Sequence, residues 1–229
     1  MQSHTESSPK IPGPESGDPE SGGGSPARKI VLNVGCGTRH IGVVETAFPV
    51  EEWREVRLDI DPGVEPDIVA SMTDMAPVAD ATVDAVWSSH NLEHLYPHEV
   101  PMALREFLRV LRPGGQLLLA VPDLQAVARL VAEDRLDEAL YDSPIGPVTP
   151  LDIIYGYGAA LAAGLHFMAH RTGFTPKTLG PMLQAAGFEP IMIGRRAAGY
   201  ELHVRAFRPP APANALELLG LDPSPSAVG

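Results

Sequence analysis

Two glycines placed directly after an apolar run could bring the backbone close to a ligand. Gly35 and Gly37 follow residues 30–34, which read Ile-Val-Leu-Asn-Val. Such a run is typical of a central strand in a parallel sheet, because that strand is covered on both faces. Glycine has no side chain, so the turn can bend tightly and a ligand can approach it. The same pattern also occurs in strand-to-helix turns that bind nothing, and the choice depends on the sequence downstream.

An acidic residue ends the next predicted strand. Residues 55–62 read Glu-Val-Arg-Leu-Asp-Ile-Asp-Pro, in which Asp59 comes about 20 residues after the glycines. A carboxylate at this place can accept hydrogen bonds from both hydroxyls of a ribose. A solvated turn is the alternative, since Asp-x-Asp-Pro is common turn chemistry. The spacing favours the ribose.

His90, Glu93 and His94 form the pattern H-x-x-E-H, which is also the motif of inverted zinc peptidases. That mechanism requires both histidines on one face of a helix, a third ligand and a metal-bound water. Here the motif directly follows a predicted strand, and Pro97 interrupts the chain just after it. A zinc peptidase is therefore disfavoured, and we predict no metal.

Strand-like and helical segments alternate along most of the chain. Strands are predicted over residues 29–34, 55–61, 66–71, 83–89, 116–121, 188–194 and 200–207. Helices are predicted over residues 97–112, 123–140 and 175–187. This alternation predicts an α/β fold with a doubly wound parallel sheet that ends in an antiparallel hairpin. Ligands of such sheets bind beyond the carboxyl ends of the strands.

Composition limits the possible partners. The chain has 229 residues, 44% of them hydrophobic, which is enough for one sizeable core. Its net charge of -12 argues against a nucleic-acid surface, because such surfaces cluster Lys and Arg. No apolar run approaches the roughly 18 residues of a membrane helix, and we expect no signal peptide. One cysteine, Cys36, fits a reducing compartment. We expect a cytoplasmic protein whose partner is a small molecule.

Composition also divides the chain into segments. Residues 1–27 are rich in Ser, Gly, Pro and Glu and are predicted to be disordered, whereas residues 28–208 are predicted to form one domain. Residues 209–229 are predicted to be a Pro-rich tail. Within the domain, residues 140–171 are longer than a sheet connection needs and carry Tyr and His among apolar residues. This favours a lid or substrate-binding segment over a packed helical hairpin.

Five short motifs follow one another in a fixed order. They are Asn33-Val34-Gly35-Cys36-Gly37, Leu58-Asp59-Ile60-Asp61, Thr73-Asp74-Met75, Val83-Asp84-Ala85-Val86 with Leu92-Glu93-His94, and Arg109-Val110-Leu111-Arg112-Pro113-Gly114-Gly115. This order resembles the class I S-adenosylmethionine-dependent methyltransferases, in particular the methyltransferase type 11 group. The resemblance covers residues 29–122, and residues 175–208 resemble the usual ending. It implies a Rossmann-like seven-stranded sheet, the cofactor S-adenosylmethionine and methyl transfer to an acceptor.

The resemblance also implies a set of cofactor contacts. These are Gly35 and Gly37 with the methionine part, Asp59 with the ribose hydroxyls, Ile60 and Met75 with the adenine faces, Asp74 with the adenine amino group, and Ser88 and Ser89 with the surroundings of the sulfonium. Two positions depart from the family pattern: Asn33 replaces an acid and Arg39 replaces a third glycine. The amide oxygen of Asn33 can still accept a hydrogen bond from the cofactor ammonium.

A hydroxyl or protonated amine acceptor needs a base, and histidine suits this task because its pKa is near neutrality. His90 follows the fourth strand, close to where the family places the transferred methyl, while His166 and His170 lie in the predicted lid. We expect His90 or His170 to be the general base, with Tyr155 or Tyr157 as substitutes. The alternative is that these histidines are structural.

Two other functions remain compatible with the sequence. The protein could bind S-adenosylmethionine without transferring a methyl group, or it could use a nicotinamide cofactor. The latter is less favoured because Asp74 and residues 92–94 would have no role. Residues 88–91 lack the Asn/Asp-Pro-Pro-aromatic motif used on exocyclic amines, and Cys36 lies in the glycine loop rather than at a nucleophile position. The expected acceptor is a metabolite, a sugar or a secondary product.

Overall fold

The computed structural model describes residues 27–38, 43–143 and 146–220. Its strands are β1 (Lys29–Val34), β2 (Trp53–Asp59), β3 (Ile68–Val69), β4 (Val83–Ser89), β5 (Leu111–Pro122), β6 (Tyr141–Ser143), β7 (Gly146–Val148), β8 (Ile191–Arg196) and β9 (Glu201–Phe207). Its helices are α1 (Val43–Ala47), α2 (Val100–Val110), α3 (Leu124–Ala132), α4 (Pro150–Tyr155), α5 (Gly158–Ala162), α6 (Pro176–Ala186) and α7 (Ala215–Leu218). The predicted disordered tail lies outside the described residues except for Ala27, and so does Arg39.

Seven strands form one sheet in the order β3-β2-β1-β4-β5-β9-β8. Strands β1 to β5 pair in parallel, whereas β9 runs antiparallel to both β5 and β8. This confirms the predicted doubly wound sheet and its C-terminal hairpin. The strand order reverses between β1 and β4, and sheets of this kind bind their ligands beyond the carboxyl ends of the strands at such a point.

The central strands are covered on both faces, as their unbroken apolar runs predict. Leu32 and Val34 belong to the main core cluster, which includes residues of α2 and α6. Val31 and Ala85 face the other way and pack with Phe48 in a smaller cluster. No helix in the described part of the chain is both long and apolar enough to cross a membrane.

Several boundaries differ from the predicted ones. Strand β5 begins at Leu111 and includes Pro113-Gly114-Gly115, because Gly114 and Gly115 exchange backbone hydrogen bonds with Arg208. Helix α3 starts at the predicted cap, Asp123, but ends at Ala132 instead of residue 140. Two residues later the backbone of Asp134 turns to a φ of 59°, which a helix cannot accommodate.

The folded part also continues past Arg208. Ala215 and Leu219 pack against Phe207, so the first half of the predicted C-terminal tail covers the end of the hairpin. The remaining residues, 221–229, lie outside the described part of the chain.

The segment predicted as a lid folds into the β6–β7 hairpin, α4, α5 and a 3₁₀ turn. Gly156 ends α4 at a φ of 101°, where a Cβ atom would lie 2.3 Å from the carbonyl oxygen of Met168. The N–H groups of Arg171, the last residue of the segment, and of Thr172 donate to the carbonyl oxygen of Glu93 at 2.7 and 3.2 Å. The end of the segment is therefore anchored to the turn that follows β4.

Candidate active site

A cavity of about 730 Å³ lies over the carboxyl ends of β1, β2 and β4. Gly35, Asp59 and Ser89 line it from the sheet, and Tyr157 and Phe167 line it from the 140–171 segment. Small-molecule sites usually have volumes of roughly 300–1,000 Å³, so this cavity has the size of a ligand site.

Asp59 is the buried acid of the cavity, with 8% of its surface exposed. One carboxylate oxygen accepts the N–H of Gly37 at 2.8 Å and the other accepts the N–H of Asp61 at 2.9 Å. Each oxygen can accept a further hydrogen bond, because an ionised carboxylate has about four lone-pair sites. Next to it, Ile60 is 61% exposed and presents an apolar surface to the cavity. An acid beside an apolar surface suits a nucleoside.

Gly35 is needed because the side chain of Asn91 packs directly against it, a contact that the sequence did not indicate. Its φ is 67°, and a Cβ atom there would lie 2.1 Å from the side-chain oxygen of Asn91. The Asn91 amide donates to the carbonyl oxygens of Val34 at 3.0 Å and Ser89 at 2.9 Å. Gly37 has a similar φ of 56°, but a Cβ atom there would have no neighbour within 4 Å. Only Gly35 is therefore required by close packing.

Asn33 does not line the cavity. Its side chain is buried and donates to the carboxylate of Glu55 at 2.7 Å. The structure thus gives no support to the predicted contact between the Asn33 amide and the cofactor ammonium, because the amide faces β2.

Asp74 and Met75 are not at the cavity either. Met75 is fully buried in the main core, and its N–H donates to Glu106 at 2.7 Å. Ser71 and Met72, which follow β3, line the cavity instead. The rule that ligands bind just beyond the strand ends could have identified these two residues.

Ser88 and Ser89 take different places, although both were predicted near the sulfonium. Ser89 lines the cavity. Ser88 is fully buried and accepts a hydrogen bond from the Asn91 amide at 3.2 Å. The alternation of side chains along β4 therefore leaves one of the two predicted serines in contact with the cavity.

His90 lies between two carboxylates. Its Nδ1 is 3.3 Å from Glu93 and its Nε2 is 3.2 Å from Glu201. Burial opposes protonation, but the two carboxylates outweigh it and raise the pKa of His90 to about 10. The ring is thus protonated at neutral pH and has no lone pair to accept a proton. The structure does not support His90 as a general base.

Of the other predicted bases, Tyr157 lines the cavity, whereas His170, His166 and Tyr155 do not. His170 donates from Nδ1 to the carbonyl oxygen of Ile153 at 2.7 Å, and burial lowers its pKa. His166 and Tyr155 are exposed, and neither lines the cavity. His94, which the sequence analysis treated as structural, does line it. No signal in the sequence distinguished His94 from these residues.

A comparison with known families decides the identity of the fold. Residues 32–119 match the family described as a methyltransferase domain. This match and the relatives below support a class I S-adenosylmethionine-dependent methyltransferase. The matched range contains the second half of β1, all of β2, β3 and β4 and most of β5, so it includes every strand end that contributes to the cavity.

Individual relatives of this methyltransferase are distant. The malonyl-[acyl-carrier protein] O-methyltransferase of Dechloromonas aromatica (strain RCB) is 29% identical over 180 residues. That match covers 73% of this chain but 66% of the relative, so the chain spans just under two thirds of the relative's length.

Solved structures share the fold. The 1,6-didemethyltoxoflavin-N1-methyltransferase of Burkholderia thailandensis, with bound S-adenosylhomocysteine, is similar at a TM-score of 0.50 and 18% identity, over 79% of this chain and 72% of that one. A methyltransferase from Methanosarcina mazei is similar at a TM-score of 0.53 and 17% identity, over 79% and 92% of the two chains. At such identities the likeness concerns the fold alone.

S-adenosylmethionine, the cofactor of this family, suits the residues of the cavity. The Asp59 carboxylate can accept the two ribose hydroxyls, and Ile60 and Met72 offer apolar surface to an adenine. The backbone at Gly37 is open, because no atom lies within 4 Å of where its side chain would begin. The methyltransferase thus has an acid, an apolar surface and an accessible glycine backbone at one sheet edge.

The two glycines of the loop should differ in their tolerance to substitution. Gly37→Ala should cost about 1–2 kcal/mol of unfolding free energy in urea, from the left-handed backbone alone. Gly35→Ala should cost about 1–3 kcal/mol more, because it also displaces Asn91 and its hydrogen bonds. In a double-mutant cycle, Asn91→Ala should cost less in the Gly35→Ala background than in the wild type. Equal losses for both glycines would contradict this packing.

Stability of the methyltransferase at acidic pH should depend on Glu201. Burial opposes its ionisation, but His90, His203 and Arg196 outweigh burial and lower its pKa from 4.5 to about 2. Because the folded pKa lies below the unfolded one, the stabilisation is fully present above pH 4.5 and is lost as the pH falls toward 2. In the Glu201→Gln variant, the free energy of unfolding in urea should depend less steeply on pH across this window. Equal pH dependence of that free energy in the wild type and the variant would contradict this role of Glu201.

Proposed function

We propose that this protein transfers the methyl group of S-adenosylmethionine to a small-molecule acceptor that carries a negatively charged group. The main support is one cavity that combines the Asp59 carboxylate at the sheet edge with the Arg171 guanidinium at the end of the 140–171 segment. When bound, the cofactor supplies a methyl group on a sulfonium, whose sulfur leaves as a neutral thioether.

In this reaction the protein mainly aligns the acceptor with the methyl carbon and excludes water. Leu165 and Phe167 are large apolar residues that line the cavity while 42% and 41% exposed. Exposed apolar surface inside a cavity is stabilised when a ligand covers it, because water is displaced. The 140–171 segment thus supports the proposed role of a lid that covers the reacting groups.

Arg171 supports an anionic acceptor. It is the one Lys or Arg among the described residues that line the cavity. One guanidinium nitrogen donates to the carbonyl oxygen of His94 at 3.0 Å, and the group lies 4.9 Å from the ring centre of Tyr96. Guanidinium has five N–H donors, so others remain for a carboxylate or phosphate. The malonyl group in the name of the Dechloromonas relative is a carboxylate of this kind.

A carboxylate acceptor also suits the state of the predicted histidines, because His90 is protonated and His166 and His170 do not line the cavity. The carboxylate oxygen is ionised at neutral pH and can attack the methyl carbon without losing a proton. Cys36 is not a nucleophile for carbon methylation, since burial raises its thiol pKa to about 11.

The cofactor part of the proposal is tested at Asp59. Asp59→Ala should weaken S-adenosylmethionine binding by about 2 kcal/mol in calorimetry, because a charge-assisted contact with two hydroxyls is lost. Asp61→Ala is the matched control and should bind almost normally, since the Asp61 side chain accepts the N–H of Gly63 in its own turn. NAD should not bind to either protein. Unchanged affinity of a folded Asp59→Ala variant would remove Asp59 from the site.

The acceptor part is tested at Arg171. A homocysteine-release assay on matched carboxylate, phosphate and neutral acceptors should find turnover only with anionic ones. Arg171→Gln should raise KM for that acceptor about tenfold or more and leave the Kd of S-adenosylmethionine unchanged. Arg129→Gln, on the exposed face of α3, serves as control. Preference for neutral acceptors would refute the anionic class, and cofactor binding without any turnover would favour the non-transferring alternative.

A further inference from the structure

The carboxylate of Glu93 is buried without a hydrogen-bond donor. Its residue is 1% exposed, and neither of its oxygens has a hydrogen-bond partner among the described residues. The nearest cation is His90, whose Nδ1 is 3.3 Å away but does not point along a hydrogen bond. A buried carboxylate that has one ion pair and no hydrogen-bond donor is still costly, so its two oxygens indicate a further positively charged partner that the described residues do not supply.

Two histidines stand beside this carboxylate. His94 and His170 have ring centres 4.9 Å apart, and together with Glu93 they bring three ligand atoms within 4.8 Å of one another. Nδ1 of His94 is 3.3 Å from the carbonyl oxygen of Ala169, and Nδ1 of His170 is 2.7 Å from that of Ile153. A carbonyl accepts only from a protonated nitrogen, so a neutral ring keeps its lone pair on Nε2. Metal-binding histidines are commonly held in this way.

We propose that Glu93, His94 and His170 bind a divalent transition-metal ion of the zinc type. Two imidazoles and one carboxylate are the ligands of many catalytic zinc sites, which leave a further position open. Metal-to-ligand distances of roughly 2.0–2.2 Å separate such ligands by about 3.4 Å, so the three side chains move together by about 1 Å on binding. The ion neutralises the buried carboxylate.

The pattern H-x-x-E-H contributes to this site differently from its use in a peptidase. His90 does not take part, because its nitrogens face Glu93 and Glu201. Glu93 and His94 lie on a 3₁₀ turn, and the third ligand, His170, comes from the end of the 140–171 segment. The hydrogen bond from the Arg171 N–H to the Glu93 carbonyl oxygen, 2.7 Å long, holds these two parts of the chain together.

The open position of the metal would face the cavity, because His94 belongs both to the cluster and to the cavity lining. This step rests on the proposed function: there the ion would bind an oxygen of the anionic acceptor and orient it beside Arg171. The metal ion and the Arg171 guanidinium would then both bind the acceptor, on a wall of the cavity that the cofactor does not contact.

Metal titration of the untagged full-length chain tests the site without cofactor or acceptor. After removal of metals by a chelator, calorimetry with Zn²⁺ should show one equivalent bound. Glu93→Gln and His170→Ala should each lower the Zn²⁺ affinity about 100-fold or more, whereas His98→Ala, an exposed histidine outside the cluster, should not. Folding of each variant is checked by circular dichroism. No binding by the wild type, or full affinity in a folded His170→Ala variant, overturns the proposal.

X-ray absorption at the zinc edge of the loaded wild type needs no variant. Two imidazole ligands and oxygen ligands are expected, while a sulfur ligand from Cys36 or a shell of water alone would overturn the assignment. S-adenosylmethionine binding is measured in parallel on the metal-free protein. Cofactor binding without zinc uptake refutes only the metal site, and zinc uptake without cofactor binding refutes only the proposed function.

Discussion

The backbone carbonyls at the carboxyl ends of β1 and β4 need hydrogen-bond donors where these strands part, and the amide of Asn91 provides them. It donates to Val34 and Ser89, one from each strand, and so bridges the point at which the strand order reverses. The amide fits only because Gly35 has no side chain. The chain then turns so that the N–H of Gly37 reaches the Asp59 carboxylate. The sheet and the cavity that we propose as the cofactor site therefore depend on the same close contact.

A second constraint joins the site to the C-terminal hairpin. Glu201 opens β9, and its carboxylate lies 3.2 Å from His90, 2.7 Å from His203 and 2.7 Å from Arg196. Because His90 follows β4, this cluster of charges ties the hairpin to the rim of the cavity. The hairpin, which the sequence predicted only as the usual end of the sheet, thus holds one wall of the site in place.

The parts of the fold that depend on local patterns were predictable. Unbroken apolar runs identified the buried strands, and the acid after β2 was identified as Asp59 because its distance from the glycines is set by the strand–connection–strand unit. The residues that line the cavity after β3 were not predicted: β3 has only two residues, so the sequence does not show where it ends, and Ser71 and Met72 line the cavity whereas Asp74 and Met75 do not.

Long-range contacts account for the rest. The partner of Asn33 is Glu55 on the neighbouring strand, which decides that its amide faces away from the cavity. His94 and His170 meet only because the chain returns to the turn after β4 at the end of the 140–171 segment. Charges that raise the pKa of His90 come partly from Glu201, far along the sequence. No periodicity or motif in the sequence indicates such long-range contacts, so the roles of the histidines could not be predicted from their spacing.

A crystal structure of the full-length chain with S-adenosylhomocysteine tests the central claim most directly, since it shows where the nucleoside binds. The expected structure has both ribose hydroxyls within hydrogen-bond distance of the Asp59 carboxylate, and the adenine against Ile60 and Met72. A nucleoside bound elsewhere, or bound in the cavity without contact to Asp59, would contradict the account.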